Sequence, residues 1–256
     1  MTEVSDRIVS AAAATVRRRF AHVPGAEVLE IDGLVVSLSN LPDPSLNATF
    51  VEREPDDAAT ALAEAEFEMR RRGHAMGLDH PVGWFPKLDA AVRDAGLELV
   101  ESRPAMTADV ASLPDAVVPD GVRVETVSTR EESLALAAVD AEAFDGDLAI
   151  SERAFAPAVL GVEGVCGLLA WDGDVPVGSG MAVLHAGAVG IFGIAVVPRA
   201  RRRGIGTALT LAAADAFPAD LAWLLPSEMA RSMYQRLGFR ALEPWEIRVR
   251  REPPRS

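Results

Sequence analysis

The chain of 256 residues contains one cysteine, Cys166, one tyrosine, Tyr234, and one lysine, Lys87. A lone thiol excludes an internal disulfide, and Cys166 stands in an apolar run without a His/Asp frame, so it reads as core rather than nucleophile. The four histidines have no ligand spacing, and no metal is expected. No window offers the roughly 18 uncharged apolar residues that a spanning helix needs. The N-terminal segment SDRIVSAAAATVRRRF is amphipathic and cut by charges, so neither a membrane partner nor a signal peptide is expected. These absences point to a reducing, cytoplasmic setting. Basic character is also scarce: the formal net charge is −13, which argues against a nucleic-acid partner.

What is present is an apolar share of 49 % in a chain long enough for two lobes. In the first, GLVVSLSN reads as a strand. AATALAEAEFEMRRRG reads as a helix with Asp56 and Asp57 at its start, and WFPKLDAAVRDAGLELV as a second helix stopped at Gly96. PAMTADVASL reads as a further strand. Pro114, Pro119 and Asp120-Gly121 break the pattern, which places a boundary between 1–115 and 116–256. The second lobe reads as a strand (VRVETV), then a helix with capping-box signals at Ser128 and Thr129. A three-stranded meander follows, and then helix, strand and helix. The fold class is α/β of mixed α+β type, with a mostly antiparallel sheet flanked by helices.

The charge deficit makes VVPRARRRGIGTAL conspicuous. Arg199 and Arg201 to Arg203 run into Gly204-Ile205-Gly206 where an apolar run becomes helical. A strand that passes through a glycine loop into a helix leaves the first helical N–H groups open, and with the helix dipole these form an anion site. A Walker loop would need a lysine and a hydroxyl after the second glycine, but Thr207-Ala208 stands there. A dinucleotide fingerprint would need a third glycine where Leu209 stands.

The pattern that remains is V-x-P-x-x-R-x-x-G-x-G, met by Val196, Pro198, Arg201, Gly204 and Gly206. SEMARSMYQRLGF adds A-x-x-x-Y-x-x-L-G-F through Ala230, Tyr234, Leu237, Gly238 and Phe239. Together they resemble the GNAT superfamily of N-acetyltransferases over about residues 117–245. The resemblance implies acetyl-CoA as co-substrate, with its pyrophosphate on the main-chain amides of Gly204, Ile205, Gly206 and Thr207. Arg201 fills the motif position, while Arg202 and Arg203 add positive field. Backbone near Ile194, Val196 and Val197 would hold the pantetheine arm and thioester carbonyl, and Tyr234 would protonate the leaving thiolate. Ser227 stands where many members have asparagine. It reads as a helix cap, with a coenzyme contact as the other possibility.

The resemblance also implies transfer to a primary amine, of a small molecule or a peptide, by a monomer or homodimer. One departure matters. Gly190 lies where some members carry a glutamate base, and alternation puts Gly190, Phe192 and Ile194 on one face without a carboxylate. That favours a low-pKa amine, or a base from elsewhere, with Asp145, Asp147, Glu228 and His185 as candidates. It also keeps open a non-catalytic acyl-CoA-binding sensor. The first lobe repeats the order strand, helix, apolar segment, helix, strand without the loop motif. It reads as a silent, degenerate GNAT-like partner or an unrelated cap domain. FDGDLAISERAF reads as a substrate-facing loop.

Overall fold

The computed structural model describes residues 2–20, 22–39, 41 and 46–250. The chain forms two compact units, one of Met1–Ala105, Leu225–Glu228 and Ala241–Ser256, the other of Met106–Leu224 and Met229–Arg240. This division differs from one cut at 115/116, because each unit takes in a segment from beyond such a cut.

In the first unit, α1 (Glu3–Phe20) buries Ile8, Val9, Val16 and Phe20 on one side. Strands β1 (Glu27–Ile31), β2 (Leu34–Leu38), β3 (Thr49–Val51) and β4 (Gly77–Pro81) follow in spatial order, with β11 (Arg240–Val249) next to β4. All neighbours pair antiparallel except β3 and β4, which are parallel across the crossover helix α2 (Ala58–Arg70). A parallel pair needs such a crossover. Helix α3 (Pro86–Ala95) starts on Pro86 and ends at Gly96 in the left-handed region, as the sequence leads one to expect. Strand β5 is longer than expected, Glu98–Asp109. Strand β11 is absent from the sequence reading, since Pro244 and the charges of RALEPWEIRV hide its alternation; Trp245 is its buried residue.

In the second unit the end of β5 pairs with β10 (Leu221–Leu224), and the order continues through β9 (Ala188–Val196), β8 (Val175–His185) and β7 (Val165–Asp172) to β6 (Val122–Thr126). Only β9 and β10 are parallel, joined by α7 (Ile205–Ala214). Helix α4 (Arg130–Phe144) has the expected capping box, Thr129 with Glu132. On one face of the sheet, Leu136 of α4 and Leu160 of α6 (Pro157–Leu160) come within 3.2 Å of a Cβ position at Gly167. On the other face, Leu209 of α7 comes within 2.8 Å of a Cβ position at Gly178. The segment expected as a loop, FDGDLAISERAF, instead contains α5 (Leu148–Ala154), because Asp147 caps it through the Ala149 amide at 2.8 Å. Cys166 is half-buried beside the Thr126 hydroxyl rather than in the core, and burial pushes its thiol pKa up.

Candidate functional site

The parallel pairing of β9 and β10 runs only from Leu221↔Ala188 to Trp223↔Gly190, while β9 continues to Val196. From Ile191 onward β10 no longer pairs with β9 along that edge. The Val197 amide donates to the Val177 carbonyl at 3.0 Å and so points to the β8 side. Two-fold alternation then turns the N–H and C=O of Val196 to the other, open edge. There the Val196 carbonyl accepts from Nε of Arg201 at 3.0 Å.

A bulge interrupts the same stretch: Ser179 faces Ala195 and Met181 faces Phe192, so Gly180 opposes both Gly193 and Ile194. Gly193 holds φ +58° there. The extra residue breaks the expected alternation. Phe192 shares a face with Gly190, whereas Ile194 turns to the α7 side, where its Cδ1 lies 2.8 Å from a Cβ position at Gly180. A Cβ at Gly190 would stand 2.6 Å from the Phe192 ring and 3.0 Å from Trp223. A side chain at Gly190 would require the Phe192 ring to shift.

The loop after β9 makes one turn of 3-10 helix, Pro198–Ala200, and enters α7 through Gly204 at φ +87°. The first bond of the helix is Ala208 N–H to the Gly204 carbonyl at 3.0 Å. Among the described residues the amides of Gly204, Ile205, Gly206 and Thr207 therefore meet no acceptor. A Cβ at Gly206 would lie 3.8 Å from Val196 and 3.9 Å from Ile194, so its absence opens the helix start toward the free edge of β9. Four convergent N–H groups at the positive pole of a helix are a main-chain site for an anionic group.

The arginines divide the work. Arg201 joins the Val196 carbonyl to the Ala143 carbonyl, at 3.0 and 2.9 Å, and so fixes the loop against β9 and the end of α4. Arg203 pairs with Asp172 and Arg199 with Glu142. Arg202, at φ +65°, has no partner among the described residues.

Helix α8 (Glu228–Leu237) carries Tyr234, buried at 6 % exposure, on its inner side. The ring packs edge-on against Phe239 with centroids 5.8 Å apart. Burial pushes the phenol pKa up from 10.0, while its bond with the Thr210 hydroxyl acts the other way. Thr210 lies one turn beyond Gly206 on α7 and donates to the Gly206 carbonyl at 2.8 Å. The neighbouring Met233 has its Sδ 3.7 Å from a Cβ position at Gly206. The second unit thus gathers the open strand edge, the free amides and a protonated phenol. Ser227, exposed and just before α8, belongs to the first unit.

The suggested base residues sit at the ends of elements. Asp145 ends α4 at φ +54°, Asp147 caps α5, and His185 pairs with Ala188 at the hairpin. Glu228 falls in the first unit.

The first unit has a cavity of about 920 Å³ with Phe50, Met76, Asp79 and Arg103 in its lining. Burial raises Asp79 to about 6 despite the indole N–H donated by Trp245. The same unit repeats the crossover, β3–α2–β4, with the opposite chemistry at its helix start. Asp57 caps α2 with its own carboxylate, 3.1 Å from the Thr60 amide, and Glu52, Glu54 and Asp56 precede it. Those amides face negative charge, so α2 offers no anion site. Among the described residues no cluster of three or more His, Cys, Asp or Glu could hold a metal, and no helix is long and apolar enough to cross a membrane.

Comparison with known proteins gives a family match and a set of similar folds. Residues 135–239 match the model of the Acetyltransferase (GNAT) family. No curated protein sequence matches the chain. Among solved structures, a GCN5-related N-acetyltransferase from Kribbella flavida is similar at TM-score 0.78 and 21 % identity, covering 99 % of this chain and 98 % of that one. Another, from Sphaerobacter thermophilus, reaches 0.56 at 16 % identity over 96 % and 91 %. A tandem GNAT protein from the clavulanic acid biosynthesis pathway reaches 0.57 at 12 % identity over 96 % of both chains. The family match is confined to residues 135–239, and the fold of these GNAT proteins extends over nearly the whole chain.

Proposed function

We propose that the protein is an acetyltransferase that moves the acetyl group of acetyl-CoA directly to a primary amine, with no covalent enzyme intermediate. The observation that carries this reading is the set of four amides at Gly204 to Thr207 that meet no acceptor among the described residues, beside the edge of β9 that β10 leaves unpaired. The pyrophosphate lies on those amides. The pantetheine arm extends along β9 as a strand would, with the Val196 N–H toward it. Arg202, at the loop and without a partner among the described residues, adds attraction for phosphate. Tyr234, protonated at neutral pH because burial raises its pKa, gives its proton to the departing sulfur. Main-chain donors held this way cost no reorganisation when charge develops on the carbonyl oxygen, and one such donor is worth about 2.7–4 kcal/mol.

The test is release of free thiol from acetyl-CoA with a panel of amines. Thiol and acetylated amine are expected in equal amounts. A lysine ε-amine needs about 4.6 kcal/mol to be neutral at pH 7, and an α-amine of pKa near 7.8 about 1 kcal/mol. On matched peptides the α-amine should therefore react faster. A second reading, an acyl-CoA-binding sensor, draws on the glycine at position 190, where the Phe192 ring fills the space beside it and no carboxylate stands. That reading predicts binding of acetyl-CoA without thiol release by any amine.

A further inference from the structure

We propose that the cavity of the first unit binds a small apolar molecule through a carboxamide group, which bridges Asp79 and Arg103. The site goes beyond the transfer reaction proposed above and shares no residue with it. Every residue of its lining belongs to the first unit. It is no counterpart of the loop before α7. The cavity lies at the starts of β3 and β4, beside Ala48, Phe50 and Gly77, whereas the crossover leaves β3 at its far end, toward Asp57.

The strand register builds the recess. Phe50 of β3 and Ile247 of β11 flank Asp79 of β4, so the three stand in one row on one face of the sheet. Two positions along, Val249 pairs with Gly77, which adds no side chain to that face. The space that results is about 920 Å³ and its wall is mostly apolar, as is usual for small-molecule sites of about 300–1,000 Å³.

Two charged groups interrupt that wall, and no ion pair joins them. Asp79 is buried at 9 % exposure. Its Oδ1 accepts the indole N–H of Trp245, and Oδ2 makes no bond among the described residues. Arg103 acts on this carboxylate through its charge alone. Its Nη1 donates to Glu101 at 3.2 Å, its Nε–H is buried without a partner, and Nη2 makes no bond among the described residues. A buried carboxylate short of partners is costly, and a guest that supplies the missing bonds removes that cost.

The missing bonds define the guest. Asp79 accepts an N–H, and Arg103 donates to an oxygen. A cation would be repelled by Arg103, and an anion by Asp79 and Glu101. A carboxamide carries donor and acceptor on one planar group without net charge, and so satisfies both. The other ionisable groups of the lining leave this balance intact. Arg250 is engaged by Glu66 and by the Ala95 carbonyl, and burial lowers the pKa of His74, which is neutral at pH 7.

The test is calorimetry on the full chain without acetyl-CoA, with phenylacetamide against phenylacetate and phenethylamine, which share one apolar body. The amide is expected to bind at millimolar levels or below, roughly tenfold more tightly than either ion. Arg103→Met keeps the apolar stem and removes the donors, and Asp79→Asn keeps an acceptor for Trp245. Each should weaken amide binding roughly tenfold. Val249→Phe puts a ring into the space opposite Gly77 and should abolish it. Should Asp79→Asn lower the Tm, the two other variants carry the test, since both of their side chains are half-exposed. Either ion binding as tightly as the amide overturns the proposal, as does no heat with the amide at millimolar levels. So does full amide affinity in Arg103→Met or Val249→Phe.

Discussion

Gly204→Val is expected to weaken acetyl-CoA binding at least tenfold, measured by calorimetry, whereas Gly204→Asn keeps most of the affinity. Space is not the reason, since a Cβ at Gly204 meets only Pro119, at 3.6 Å, an ordinary contact. The backbone is. Gly204 holds φ +87°, which a β-branched residue adopts at a cost of about 1–2 kcal/mol or more, while asparagine tolerates the left-handed region. Valine should move the loop out of this conformation and turn the amides of 204–207 away from one another. A loss of about 1.4 kcal/mol is already a factor of ten. Equal affinity in the two variants would mean that the orientation of these amides does not decide binding.

Tyr234→Phe should lower kcat roughly 10²- to 10⁴-fold and leave the acetyl-CoA Kd within about twofold. The two effects separate on the proposed mechanism, in which the α7 amides meet the coenzyme's charge and the phenol serves a different step. The hydroxyl sits beside Thr210 and is held protonated by burial, so at neutral pH it is an acid ready for a thiolate. Since the phenol pKa lies above 10.0, the unaltered enzyme should not lose activity through this group until the pH passes that value. Some stability goes with the hydroxyl, about 1 kcal/mol for a lost hydrogen bond, and a Tm measurement accounts for it. Unchanged single-turnover rates in Tyr234→Phe would remove the residue from the chemistry.

The sequence displayed the open helix start plainly, because Gly204, Gly206 and the switch from apolar run to helical period are local signals. It also displayed Tyr234 through its motif. The partners of Arg201, Arg203 and Arg199 were invisible. They lie 58, 31 and 57 residues away at Ala143, Asp172 and Glu142, and only the packed sheet brings them together. The bulge itself left no mark, since GIFGIAVV alternates well enough to pass for a regular strand. β11 was hidden by the opposite effect, a real strand whose half-exposed charges mask its period.

The self-capped start of α2 has a consequence for how the chain counts its ligands. Both halves repeat one crossover frame, yet Asp57 and its acidic neighbours stopper the mouth that Gly204 leaves ajar. On the proposed function, the molecule is therefore expected to take up one equivalent of the thioester at saturation, through the crossover that ends at Gly204.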